Sequence, residues 1–146
     1  MAYTIEALMA DAVTTVETVA AFKSVSYPPP PTWPAFGPFA YLDYGGCEIE
    51  QGSDEVTTHT ILIHVLMPMR GDFAATAGEY AAVLTNARAA HRAFYTNVVI
   101  AGEAALASPG AISKPEIVEY SGVRCVRATL TLQCVTAEDV GSLVSD

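Results

Sequence analysis

The residues of this chain that could carry chemistry are its three histidines, its three cysteines and a run of carboxylates. His59 and His64 are five apart, so on one extended strand they have opposite parity and cannot converge on a common ligand. His91 falls within an apolar stripe at helical spacing, the place of a hydrogen-bonded core or interface histidine rather than a general base. Cys47, Cys125 and Cys134 cannot all pair, and none has the C-x-x-C spacing of a zinc or redox site. Cys125 and Cys134 are nine apart, which puts them on opposite faces if they share a strand, and all three read most simply as reduced core thiols. No Gly-x-Ser-x-Gly elbow, phosphate-cradling glycine loop or His-Glu-x-x-His spacing occurs. Glu48 and Glu50 share one face of an extended segment beside a hairpin, which by itself describes a solvated face. The sequence therefore predicts no catalytic residue, no metal site and no cofactor.

The elements that would position these residues follow from periodicity. Ile5, Leu8, Met9, Ala12, Val13, Val16, Val19 and Ala20 have helical spacing, with Thr4 as N-cap and Glu6 in the first turn. Its later β-branched residues weaken helix propensity, so the helix can stop early and leave Phe22 to Tyr27 extended. Six prolines between Tyr27 and Phe39 then force a stiff, irregular course that carries Trp33 and Phe36. Such aromatics are either folded back as a lid on the core or presented to a partner. Phe39 to Gln51 and Val56 to Met67 read as strands joined by a hairpin through Gly52-Ser53-Asp54, with Gly45-Gly46 permitting a bulge or turn. The second of these strands is apolar on both faces, which makes it central. Gly71-Asp72 is placed to cap a long helix reaching about Tyr95, with Phe73, Ala77, Tyr80, Leu84, Ala87, His91 and Phe94 as its buried stripe. After a mixed segment from Val98 to Pro115, Glu116 to Tyr120 and Val123 to Thr136 form a hairpin around Ser121-Gly122, and Val126, Ala128, Leu130, Leu132 and Cys134 face the core. The order α-β-β-β-α-β-β with hairpin links predicts an α+β fold, an antiparallel sheet with two helices packed on one face.

Composition bounds the rest. With 146 residues, 51% of them hydrophobic and 16% charged, residues 1–146 are expected to form one domain with a core of its own. No apolar run approaches the ~20 residues of a membrane-spanning helix. Met1 to Met9 lack the basic start of a secretory signal, so a cytoplasmic origin is the default expectation. The net charge is -9 and unevenly distributed: residues 1–69 hold eight acids and a single base, Lys23. Asp43, Glu48, Glu50, Asp54 and Glu55 lie in one stretch without a compensating base, which opposes a grip on nucleic acid built on phosphate neutralisation.

Taken in order, the first helix, the proline loop, the strand Phe39-Ala-Tyr-Leu-Asp-Tyr44, the strand Thr58-His-Thr-Ile-Leu-Ile-His-Val65 entering a long helix at Met69-Arg-Gly-Asp72, and the closing strand Gly122-Val-Arg-Cys-Val-Arg-Ala-Thr-Leu-Thr-Leu132 resemble the tail terminator proteins of long-tailed bacteriophages and related tail-like particles. The resemblance covers roughly Ile5 to Val135; the density of prolines between Pro28 and Pro38 departs from it. It implies a non-enzymatic virion protein, assembled in the host cytoplasm and located at the neck end of the tail. Such a protein forms a hexameric ring with copies of itself, caps the finished tail tube, ends its polymerisation and joins it to the head connector protein. Genomic DNA would pass through the lumen without specific binding. Trp33 and Phe36 are then expected at a subunit or tail contact, and Glu48, Glu50, Asp54 and Glu55 on the inner wall of the ring. Two other classes fit the residues: another neck or tail-completion subunit, and a small-molecule-binding or enzymatic α+β domain with His59 or His64 in a cavity.

Overall fold

A computed structural model of the chain describes residues 4–33, 37–51, 54–69, 73–96, 99–100 and 105–139. The elements are α1 (Ile5–Glu17), β1 (Ser24–Ser26), β2 (Phe39–Gln51), β3 (Asp54–Pro68), α2 (Phe73–Thr96), β4 (Val99–Ile100), β5 (Ala105–Ile112), β6 (Glu116–Tyr120) and β7 (Val123–Asp139). They make an α+β fold around one sheet of order β1-β2-β3-β7-β5-β4, with β6 also paired to β7.

Helix α1 begins where Thr4, in extended conformation, accepts a hydrogen bond from the Ala7 N–H at 3.0 Å. It ends early, as the β-branched run predicts: the Thr14 and Thr15 hydroxyls donate back to the Ala10 and Asp11 carbonyls, competing with continuation of the helix. The chain then tightens through Val19 N–H to Val16 O and Phe22 N–H to Val19 O, and enters β1.

The sheet is mixed, which corrects the expectation of a purely antiparallel one. β1 runs parallel to the start of β2, with Ser24, Val25 and Ser26 opposite Phe39, Ala40 and Tyr41. A parallel pair requires a crossover of about a dozen residues. The proline-rich segment is that crossover, anchored where the Lys23 N–H donates to the Pro38 carbonyl at 2.8 Å. All other pairings are antiparallel. The segment from Val98 to Pro115 adds two strands that the sequence concealed: β5 contains Pro109, and its register to β7 shifts between Pro109 and Ile112, the edge-and-bulge position that strand proline requires.

β3 is central, between β2 and β7, as its two apolar faces predict. The β2–β3 hairpin is formed; Gly52 and Ser53 of its turn lie outside the described residues, as do Gly71 and Asp72, the expected cap of α2. At the other hairpin Ser121 and Gly122 have φ of 52° and 80°, the paired positive values of a two-residue turn whose twist matches the strands.

Both helices bury their apolar stripes on the same face of the sheet. Leu8, Met9, Ala12 and Val16 of α1 and Val83, Ala87, Ala90 and Phe94 of α2 meet Ala40, Leu42, Ile61, Ile63, Val65, Val126, Ala128, Leu130, Leu132 and Cys134. Each large side chain so buried contributes roughly 1.5–3 kcal/mol relative to exposure. The buried stripe of α2 is rotated from the expected one: Leu84 and Ala77 are exposed and His91 is half-buried, while Val83 and Ala90 turn inward. An alanine-rich helix has weak polarity around its axis, so which flank of the stripe turns inward is settled by contact with the sheet, here Val83 over Leu84 and Ala90 over His91.

Candidate functional site

The face of the sheet opposite the helices carries His64, Cys125, Glu48 and Glu50 of the residues singled out above. Even-numbered β3 residues point to it, and so do Phe39 and Tyr41 of β2, Tyr120 and Val118 of β6, and Cys125 and Arg127 of β7. The proline loop covers one end of this face. Trp33, half-buried, lies edge-on to Phe39 at 4.7 Å between ring centroids and to Tyr120 at 6.4 Å, and its Nε1–H donates to the Gly37 carbonyl at 3.2 Å. The Tyr120 hydroxyl donates to the Pro30 carbonyl. Edge-to-face pairs of this kind add about 0.5–1.5 kcal/mol beyond their buried area. Trp33 is thus folded back on the sheet with one side still open, and Phe36 lies outside the described residues.

Beneath this cap runs a polar seam that sequence reasoning missed. The His64 ring stacks on Tyr41 at 4.7 Å, its Nδ1 is 2.9 Å from the Thr129 hydroxyl, and its Nε2 is 3.7 Å from Asp43 Oδ2. Burial, followed by the positive field of Arg127, lowers the His64 pKa, and Asp43 opposes them. A neutral imidazole beside a hydroxyl and a carboxylate has the composition of a proton relay. The geometry is that of packing: the Asp43 separation exceeds hydrogen-bond range, and Thr129 sits mid-strand, its N–H and C=O both tied to Ser113. No signal in the sequence brings Thr129 to His64, because 65 residues separate them and only the β3–β7 register pairs them.

His59 is on the other face, 2% exposed, with its Nδ1 2.7 Å from the Tyr44 hydroxyl; burial lowers its pKa. Opposite parity thus separates His59 from His64. Cys125 and Cys134 are likewise on opposite faces, and burial pushes their thiols up to about 11 and about 12. Cys47 is exposed. Among the described residues no group of three or more histidine, cysteine or carboxylate side chains could hold a metal ion, and no helix is long and apolar enough to cross a membrane.

The acidic stretch forms the far end of the β2–β3 hairpin, and the structure divides it. Between Tyr44↔Ile61 and Cys47↔His59 two residues oppose one, a bulge in which Gly46 takes φ of 95°. Beyond it, five pairs run from Cys47↔His59 to Gln51↔Glu55, roughly 17 Å of ribbon. Glu48 and Glu50, paired with Thr58 and Val56, share the uncovered face, and both are exposed. Glu55 points to the helix side with Gln51, whose Nε2 donates to its carboxylate at 3.5 Å, and with Ile49, which is 56% exposed. Asp54 opposes Asp139 in the β3–β7 register; its side chain is outside the described residues. The acids are therefore not one wall but two faces of the hairpin tip, along which β7 continues beside β3.

On the outer side of α2, Arg88 and Arg92 stand one turn apart on a ridge between two open grooves. One, of about 600 Å³, reaches the end of α1 at Thr18, Val19 and Ala20; the other, of about 410 Å³, reaches Gly110 and Ile112 beside β5. Among the described residues neither arginine enters an ion pair. Sequence reasoning passed over them, although an i, i+4 pair of arginines in an alanine-rich helix was a visible signal. Comparison of the chain with protein-family models matches none, and comparison with characterised proteins finds no significant relative.

Proposed function

We propose that this chain is a structural subunit of a phage-type tail that caps the completed tube as a hexameric ring, ends its growth and joins it to the head connector. The observation that carries this reading is the unneutralised acidic face of the hairpin tip. Glu48 and Glu50 stand side by side on the uncovered sheet face, and their cross-strand neighbours Thr58, Val56, Val135 and Ala137 bring no base. In a lone chain this arrangement costs self-repulsion. On the wall of a conduit it keeps a polyanion moving, because phosphate groups find no cation to displace.

The reading is supported further by the match between the element order of the resemblance and the observed succession of helix, proline crossover, hairpin, long helix and closing strands. In it Glu48 and Glu50 line the lumen. Glu55 is on the other face of the tip and is no longer assigned there; Asp54 keeps its assignment only through its place at the end of the hairpin. The open side of Trp33, together with Phe36, contacts a neighbouring subunit or the tube. The protein acts through contacts, without a reaction or a cofactor.

Gold labelling of the tagged chain in tailed particles, viewed by electron microscopy, tests this directly. Label is expected at the neck, and particles made without the chain should have tubes of uncontrolled length and unjoined heads. Uniform tails joined to heads in its absence overturn the reading.

A further inference from the structure

The helix-side face of the hairpin tip and the arginine ridge of α2 are complementary, yet they belong to different parts of the molecule and each is exposed. The tip offers Ile49, 56% exposed, flanked by Gln51 and the Glu55 carboxylate. The larger groove beside the ridge has an apolar floor of Val19, Ala89 and Ala93 and a basic rim of Arg88 and Arg92. Farther along the same helix, Tyr95 is 66% exposed and the His91 ring packs on it at 4.9 Å. Tyr95 lines the smaller groove, so the arginine ridge has the apolar floor on one flank and an exposed tyrosine on the other, and arginine and tyrosine are residue types that carry most of the binding at interface centres.

We propose that the tip of one copy docks head-to-tail on the α2 ridge of a second copy, with Ile49 entering the groove and Glu55 meeting Arg88 and Arg92. This rests on the ring reading above and names the two surfaces by which such a ring closes. The occupant is argued from charge. With a net charge of -9, the chain as a whole repels its own copies, so a self-contact needs one of the few places where its bases gather. Arg88 and Arg92 are such a place, and among the described residues they are engaged in no ion pair. The contact is heterologous: tip and ridge are different patches, so each copy uses both, and repetition closes a ring or extends a filament. It also leaves Glu48 and Glu50, on the opposite face of the tip, uncovered.

The test is a charge swap between two variants of the full chain. Arg88→Glu with Arg92→Glu makes the ridge acidic; Gln51→Lys with Glu55→Lys makes the tip basic. All four positions are exposed or half-buried surface residues, and light scattering with native mass spectrometry reads association over a concentration series. Each variant alone should associate at least ~10-fold more weakly than the wild type, because its tip and ridge then carry like charge. An equimolar mixture should recover association to within about 3-fold, since reversed tip meets reversed ridge and native tip meets native ridge. Recovery also shows that both variants are folded. A ridge variant that associates as well as the wild type, a mixture that fails to recover, or a wild-type chain that stays monomeric up to about 1 mM, where even weak specific contacts register, overturns the proposal. The two readings fail separately. Recovery on mixing with no label at the neck keeps the self-contact and removes the ring at the tail; normal necks built from either variant alone remove the contact and keep the ring.

Discussion

Replacing Trp33 by alanine tests whether the proline crossover is part of the folded unit. Truncating a fully buried tryptophan costs about 3–5 kcal/mol, and Trp33 is half-buried, so its packing accounts for about 2 kcal/mol. The edge contact with Phe39 at 4.7 Å adds roughly 0.5–1 kcal/mol. The Nε1–H bond to the Gly37 carbonyl is partly exposed and adds a few tenths. The total is roughly 3 kcal/mol, which for a chain of this size lowers the melting temperature by about 10 °C. Urea titration followed by circular dichroism should show this loss with an unchanged slope, since the same surface unfolds. Trp33→Phe should recover most of it, because a ring can still meet Phe39 and Tyr120. A loss below ~0.5 kcal/mol for Trp33→Ala would refute the reasoning and assign the indole wholly to a partner.

Four other outcomes follow from the same geometry. Glu48→Lys with Glu50→Lys should leave stability within about 0.5 kcal/mol, yet add DNA affinity that falls with salt and slow genome exit; normal ejection from particles carrying both would remove these residues from the lumen. A thiol reagent at pH 8 should titrate Cys47 alone in the native chain and all three cysteines in denaturant, because burial holds Cys125 and Cys134 at about 11 and about 12. The depressed pKa values of His59 and His64 mean that the unfolded chain takes up protons first on acidification. The stability they contribute is complete above pH ~6.5 and is lost as pH falls through the lowered native values, and His64→Gln should flatten that slope in melts between pH 5 and 7. Chelator should leave the melting temperature unchanged, and a drop of several degrees would reveal a metal.

What was legible in the sequence is what local chemistry decides. Thr4 caps α1 because a hydroxyl three residues before an unpaired N–H has that use wherever it occurs. Ser121-Gly122 turns a hairpin because both positions need positive φ. The alternation from Val126 to Cys134 fixed which face of β7 meets the helices. Long-range pairing decides the rest. β1 lies within the Phe22 to Tyr27 stretch expected to be extended, but its parallel direction is set by its pairing with β2, which no local pattern announced. Pro109 and Gly110 hid β5, which is held as a strand by β7. The acidic stretch was legible as composition but not as two faces, because its division depends on the register beyond Gly46.

That register has a genetic corollary. The bulge at Gly45 and Gly46 inserts one residue into β2 opposite Thr60, and strand side chains alternate with a period of two. Deleting a single glycine codon there would leave one glycine opposite Thr60 and straighten the ribbon, with Cys47 still opposite His59 and both faces of the tip unchanged. The bulge is thus a reserve of one residue. A lineage could lose a codon at this point and keep Glu48 and Glu50 on the uncovered face, whereas a codon lost within a regular stretch of strand turns over every side chain beyond it.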